Sequence, residues 1–213
     1  MQQFSMYING ANSAGQKSID VINPATGAAF AQVQCGDSSD VDRAVAAARA
    51  AFPAWAATPW AERKAAVQKL AGLLEANMAE LMQLVTLETG KPLGGLAQIG
   101  SGMELGGAIG WTQYTAELEL PVEVAQDDEQ ALIEIHRKPL GVVGSITPWN
   151  WPLMIAIWHV IPALLTGNTV VIKPSPYTPT STLRFVELAG SVLPAGVMNA
   201  VVGEGDVGAA MVN

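Results

Sequence analysis

The stretch 140–179, reading LGVVGSITPWNWPLMIAIWHVIPALLTGNTVVIKPSPYTP, constrains the fold more than any other part of the chain. It packs a strand, a Pro-Trp-Asn turn, an apolar helix and a second strand ending in Lys-Pro into one short run. From Gly141 onward strand and helix alternate strictly. Strands fall at about 141–146, 169–173 and 197–202, helices lie between them at about 152–166 and 179–192, and another helix begins near Asp206. Short strands joined by helical crossovers predict an α/β fold with a doubly wound parallel sheet.

The preceding residues read differently. Residues 6–9 and 19–22 alternate like short strands, with Asn9-Gly10 as a hairpin turn. Asn23-Pro-Ala-Thr-Gly27 punctuates a turn before a strand at 29–34. Ser38-Ser39-Asp40 caps a helix that runs to about Phe52, its apolar positions Val41, Ala44, Val45 and Ala48 keeping helical spacing. One longer helix is expected over 61–89, with Val67, Leu70, Leu74, Met78, Leu81 and Val85 on one face; Gly90 and Pro92 end it. A third helix over 96–115 carries five glycines, which suggests close backbone packing. Residues 118–124 and 131–137 both alternate around the acidic turn 126–130 and predict a protruding β-hairpin, whose unpaired edges invite a partner. The organisation expected is therefore 1–117 as the first part of a Rossmann-like cofactor domain, 118–139 as a hairpin arm, and 140–213 as a βαβαβ nucleotide-binding segment.

Composition narrows the function classes. A net charge of −8 argues against nucleic acid and against an anionic membrane surface. Half the residues are apolar, yet the most apolar run, 151–167, is shorter than the ~20 residues of a membrane span and contains His159 and Pro162. It reads as a buried helix. Residues 1–10 lack the basic start and apolar core of a signal peptide. The single cysteine, Cys35, excludes a disulfide framework and suits a cytoplasmic location.

In a doubly wound sheet the ligand lies beyond the carboxyl ends of the strands. Three segments must share that edge: Thr147-Pro-Trp-Asn150, Lys173-Pro-Ser175 and Gly203-Glu-Gly205. Asn150 reads either as a helix N-cap or turn residue or as an amide donor to an oxyanion, a role worth ~3 kcal/mol. Lys173 reads either as a snorkelling surface lysine or as a ligand to ribose hydroxyls or a phosphate. The G-x-G-x-x-G spelled by residues 203–208 follows the third parallel strand, so it reads as a glycine turn touching the adenosine end of a nucleotide. Cys35, far in sequence from that edge, reads as a small buried thiol, His159 as a core residue and His136 as exposed; no cluster has metal-ligand spacing.

Asn23-Pro-Ala-Thr-Gly27, Trp60-Ala-Glu-Arg63, Glu88-Thr-Gly-Lys-Pro92, Thr147-Pro-Trp-Asn-Trp-Pro152 and Val171-Ile-Lys-Pro-Ser175 occur in one order along the chain. In these motifs the chain resembles the amino-terminal half of the aldehyde dehydrogenase superfamily. The resemblance implies NAD or NADP as cofactor and an aldehyde as substrate. It implies that Asn150 holds the oxyanion of a thiohemiacetal, that Lys173 contacts the adenosine ribose, and that Ile146, Thr147, Pro148, Trp149, Ser175, Pro176, Gly203 and Gly205 complete the cofactor site. It also implies that the hairpin is an oligomerisation arm joining identical subunits. Many members have glutamate where Pro176 stands, and its loss removes a carboxylate that would repel a 2′-phosphate, so the choice between NAD and NADP stays open. The family's catalytic cysteine and general-base glutamate lie beyond the position matching Asn213, and Cys35 cannot replace the nucleophile. The expectation is the cofactor-binding portion of an aldehyde dehydrogenase, inactive alone. The rival is a truncated, non-catalytic fragment that binds at most nucleotide or partner subunits.

Overall fold

The computed structural model describes residues 1–95 and 99–213. The chain opens with three short strands, β1 (Gln2–Phe4), β2 (Met6–Ile8) and β3 (Ala11–Ser13). Asn9 (φ 54°) and Gly10 (φ 80°) both take the left-handed conformation that a two-residue hairpin turn demands, so β2 pairs with β3. Strands β4 (Lys17–Asn23) and β5 (Ala28–Cys35) form a second antiparallel pair, closed where the Asn23 carbonyl accepts from Gly27 N at 2.8 Å. Helix α1 (Ser38–Ala57) is capped one residue before the expected cap: Asp37 accepts from Ser39 N, and the Asp40 carboxylate accepts from Asp37 N. It runs on through Pro53 past the expected end.

The single helix expected over 61–89 is two helices, α2 (Trp60–Ala76) and α3 (Met78–Thr89). Asn77 between them has φ −109° and ψ 16°, and its side-chain amide donates to the Leu73 carbonyl at 2.8 Å. The backbone N–H of Asn77 donates to the same carbonyl at 3.1 Å, so Asn77 closes the last turn of α2 with two bonds where the backbone leaves the helical conformation. Gly90 (φ 77°) then ends α3 in the left-handed cap expected of it. Helix α4 (Ser101–Glu117) follows; the earlier start expected for it falls partly on residues 96–98, outside the described residues. Close packing explains only some of its glycines. A Cβ on Gly107 would meet Met154 Sδ at 2.7 Å, whereas Gly106 and Gly110 face open space.

Strands β6 (Glu123–Asp127) and β7 (Leu132–Ile135) pair antiparallel as a separate two-stranded sheet. The hairpin is present, but its first strand begins later than expected, after Pro121, which has no N–H to give a partner. The alternating segment follows as β8 (Val142–Ile146), α5 (Pro152–Leu165), β9 (Thr169–Lys173), α6 (Thr180–Ala189), β10 (Met198–Ala200) and α7 (Gly205–Ala210). Strands β8, β9 and β10 are parallel, with Ile146 opposite Lys173 and Val171 opposite Asn199. All five residues of β9 are buried, as a central strand covered on both faces requires. Helices α5 and α6 are the crossovers and pack on one face, while α1 and α7 lie on the other. One feature departs from a purely parallel sheet. The order is β3-β2-β10-β9-β8, and β2 joins β10 antiparallel, so the amino-terminal hairpin covers the β10 edge. The buried core runs continuously from Met6 and Val33 through Leu70 and Leu105 to Ile161, Ile172 and Phe185.

Candidate functional site at the carboxyl edge of the sheet

The parallel ladder fixes what lies at its end. Thr147 N donates to the Lys173 carbonyl at 3.1 Å, and Gly36 N donates to the Val202 carbonyl at 2.8 Å, so the loops after β8, β9, β10 and β5 meet on one edge. A trough of about 620 Å³ opens there, lined by Ile19, Asp20, Ile146, Lys173, Pro176, Tyr177, Glu204, Gly205 and Gly208. A second hollow of about 470 Å³ shares Ile19, Glu204 and Gly205 with it and continues past Cys35, Gly36, Asp37, Gly203 and Asp206.

Lys173 is only 5% exposed, and its ammonium has one long hydrogen bond, 3.4 Å to the Pro174 carbonyl. It is not a snorkelling lysine. Burial pulls its pKa down, and the charges of Cys35 and Asp206 pull it back up. Cys35 is the buried thiol expected, with its pKa raised chiefly by burial. Though far from that edge in sequence, it is delivered there by β5, beside Gly203 and Glu204. Of the residues expected to hold a cofactor, Ile146, Lys173, Pro176 and Gly205 line the trough and Gly203 lines the adjoining hollow. Thr147 is buried and its hydroxyl has no partner among the described residues. Ser175 is buried and accepts from Tyr177 N at 3.3 Å, Trp149 is 62% exposed, and Pro148 is half-buried between them. These four flank the trough without lining it.

The turn that carries Asn150 is held by residues that motif spacing alone did not single out. Glu104, fully buried on α4, accepts from Leu153 N at 3.0 Å and Met154 N at 3.2 Å, and so caps α5 from outside. Its other oxygen pairs with Lys91 Nζ at 2.5 Å. Lys91 also donates to the Asn150 carbonyl and stands 3.7 Å above the Trp151 ring. On the far side, Thr178 and Thr182 donate their hydroxyl protons to the Trp149 and Pro152 carbonyls. Asn150 is therefore a turn residue and not the N-cap: Trp151 occupies the cap position and Glu104 does the capping. The Asn150 side chain is exposed, and among the described residues its amide makes no hydrogen bond, which leaves it free to donate.

A parallel device holds α6. Glu88, wholly buried, accepts from the backbone and hydroxyl of Thr180 at 2.7 and 2.6 Å and from both groups of Ser181. Burial drives its pKa up to about 7 against the downward pull of those donors. Lys91 and Glu88 both sit in the Glu88-Thr-Gly-Lys-Pro92 motif, the one sequence signal that pointed to them.

His159 is not a core residue. It is exposed on α5, and its Nδ1 lies 2.9 Å from the buried Ser145 hydroxyl. His136 is exposed, as expected, beside Glu134. Among the described residues no His, Cys, Asp or Glu group could hold a metal ion, and no helix is long and apolar enough to cross a membrane. Further along α4 and α5, Trp111 stacks tilted on Tyr114 and Trp158, with centroids 6.1 and 5.9 Å apart, on an exposed aromatic face.

The fold is thus a doubly wound α/β sheet with a buried lysine in a trough at its carboxyl edge, where sheets of this class place their ligands. Residues 11–213 match the aldehyde dehydrogenase family, and the chain belongs to that family. It is 40% identical to the phenylacetaldehyde dehydrogenase of Pseudomonas fluorescens, over 94% of this chain and 42% of that one. It is 39% identical to the NADP/NAD-dependent aldehyde dehydrogenase PuuC of Escherichia coli, over 94% and 41%. Among solved structures, the NAD⁺ complex of the Bacillus cereus aldehyde dehydrogenase superposes with a TM-score of 0.93 at 36% identity, covering all of this chain and 44% of that one. The chain thus spans somewhat under half the length of these relatives.

Proposed function

We propose that these residues form the adenosine-binding part of an NAD(P)-dependent aldehyde dehydrogenase and supply one oxyanion donor to its reaction. The observation that carries the reading is a nearly unpartnered lysine, nine-tenths buried, aimed into a trough on the edge that also presents a free Asn150 amide. The trough suits an adenosine. Ile19, Ile146 and Pro176 offer an apolar wall for a base, Lys173 a donor for ribose hydroxyls, and Gly205 room for close approach, since a Cβ there would meet nothing within 4 Å. A nicotinamide cofactor bound here would accept the hydride of the oxidation. The part these residues play is to hold its adenosine end and to aim the Asn150 amide, through Lys91 and Glu104, at the oxygen that becomes negative when a thiolate adds to the aldehyde.

Titration calorimetry with AMP and NAD tests the adenosine site. We expect Lys173→Ala to weaken both about tenfold, the equivalent of 1.4 kcal/mol, while Asn150→Ala leaves AMP affinity as it is. Equal binding by wild type and Lys173→Ala would place the nucleotide elsewhere.

The hairpin supports a second part of the proposal, assembly of identical subunits. Val122, Val124, Leu132, Ile133 and Ile135 are all exposed, and among the described residues β6 and β7 pair only with each other. An isolated two-stranded ribbon with apolar faces is marginal in water without a partner surface. Sedimentation velocity should show wild type as an oligomer, and Val124→Lys combined with Ile133→Lys should shift it to monomer with the thermal transition retained. A wild-type monomer at micromolar concentration would remove the hairpin from this role.

A further inference from the structure

We propose that the trough selects a nucleotide whose adenosine ribose carries a free 2′-hydroxyl and rejects one with a 2′-phosphate, and that Asp20 and Glu204 make this choice. The inference rests on the reading of the trough as the adenosine site. Asp20, on β4, and Glu204, in the loop after β10, line the trough together with Lys173. Lys173 is the one cation among the described residues that line the trough, and the remaining wall is Ile19, Ile146, Pro176, Tyr177, Gly205 and Gly208. A third carboxylate, Asp206, borders the adjoining hollow and acts electrostatically on the same lysine.

A 2′-phosphate would bring a charge of about −1.5 to −2 into this space. Recognition of such a group generally uses an arginine fork or several cations; among the described residues no arginine lines either hollow, and a second lysine, Lys17, borders only the adjoining one. One lysine cannot offset both the phosphate and the two carboxylates that line the trough with it. A neutral ribose meets no such conflict: the lysine can donate to one hydroxyl and a carboxylate can accept from another. Pro176 contributes neither charge nor a donor to the choice. The selection that its loss of a carboxylate leaves open is thus supplied from β4 and from the glycine turn. Asp20 also accepts from Gln32 Nε2 at 3.2 Å, which holds its carboxylate in place.

The test uses the whole chain and two probes, 5′-AMP and adenosine 2′,5′-bisphosphate, titrated calorimetrically at low ionic strength. The readout is the ratio of their dissociation constants. We expect the bisphosphate to bind at least about tenfold more weakly than AMP, and the ratio to shrink as salt screens the carboxylates. Asp20→Asn with Glu204→Gln should reduce the ratio to about twofold or less, since each amide keeps the shape and loses the charge. Both positions are exposed, so the double variant should keep the thermal transition of wild type. If AMP binds and the bisphosphate binds as tightly, the selection is overturned while the adenosine site stands. If the ratio is large and survives in the double variant, the assignment to Asp20 and Glu204 is overturned. If neither probe binds, the adenosine site fails and this inference fails with it.

Discussion

Replacing Glu88 by alanine should cost about 4 kcal/mol of stability, because it strips the partners from several buried donors at once. Helix α6 begins after Pro179, which has no side chain to cap it, so Glu88 satisfies the first turn from α3. The same carboxylate makes stability depend on pH. Its folded pKa is raised to about 7 from an ordinary 4.5, with burial as the leading cause. Between those values the folded chain keeps a proton that the unfolded chain has lost. The stabilisation is therefore complete below about pH 4.5 and is lost as pH rises through 7, by about 3 kcal/mol for a shift of this size. Glu88→Gln keeps one oxygen for Thr180 and cannot ionise, so its pH profile should be flat over this range where wild type slopes downward. Urea unfolding at several pH values between 5 and 8 reads both effects. A Glu88→Gln profile that falls as steeply as wild type would show that another group titrates.

What the sequence revealed and what it hid follow from how far apart the cooperating residues lie. The β8-α5-β9 segment was legible because each element is fixed by local periodicity, and topology alone then brings Thr147, Lys173 and Gly203 to one edge. The break at Asn77 was not. The run from Trp60 to Thr89 keeps its apolar face on both sides, and the break lies in the backbone of the single residue Asn77, whose side chain returns to the Leu73 carbonyl. The place of Cys35 was hidden for a different reason. Its position is set by β5 lying against the glycine turn after β10, a contact between segments far apart in the chain. His159 looked like core because its neighbours are apolar, but on α5 it falls on the outward side and is held by Ser145. The supports of Asn150 were the least legible. A buried glutamate such as Glu104 is recognisable only once Lys91 and the first turn of α5 are seen around it.

That arrangement yields the other large effect. Glu104→Ala should destabilise the chain by about 4 kcal/mol, because it uncaps α5 and leaves Lys91 without its counter-charge. Lys91→Met should cost about 3 kcal/mol, since the carboxylate it abandons is fully buried yet still accepts from Leu153 and Met154. The two losses should not add. Once either partner is gone the ion pair no longer exists, so the double variant should be more stable than the sum predicts by about 2 kcal/mol. A merely structural pair would show this and nothing more. Lys91 also holds the Asn150 carbonyl and covers the Trp151 ring, so its loss should free the turn. In a ¹⁵N-labelled sample the Asn150 side-chain amide signals, assigned by their loss in Asn150→Asp, should move in Lys91→Met and return toward the wild-type position in Lys91→Arg, which restores charge over the ring. Additive stabilities together with unmoved Asn150 amide signals would show that Lys91 and Glu104 do not position the turn.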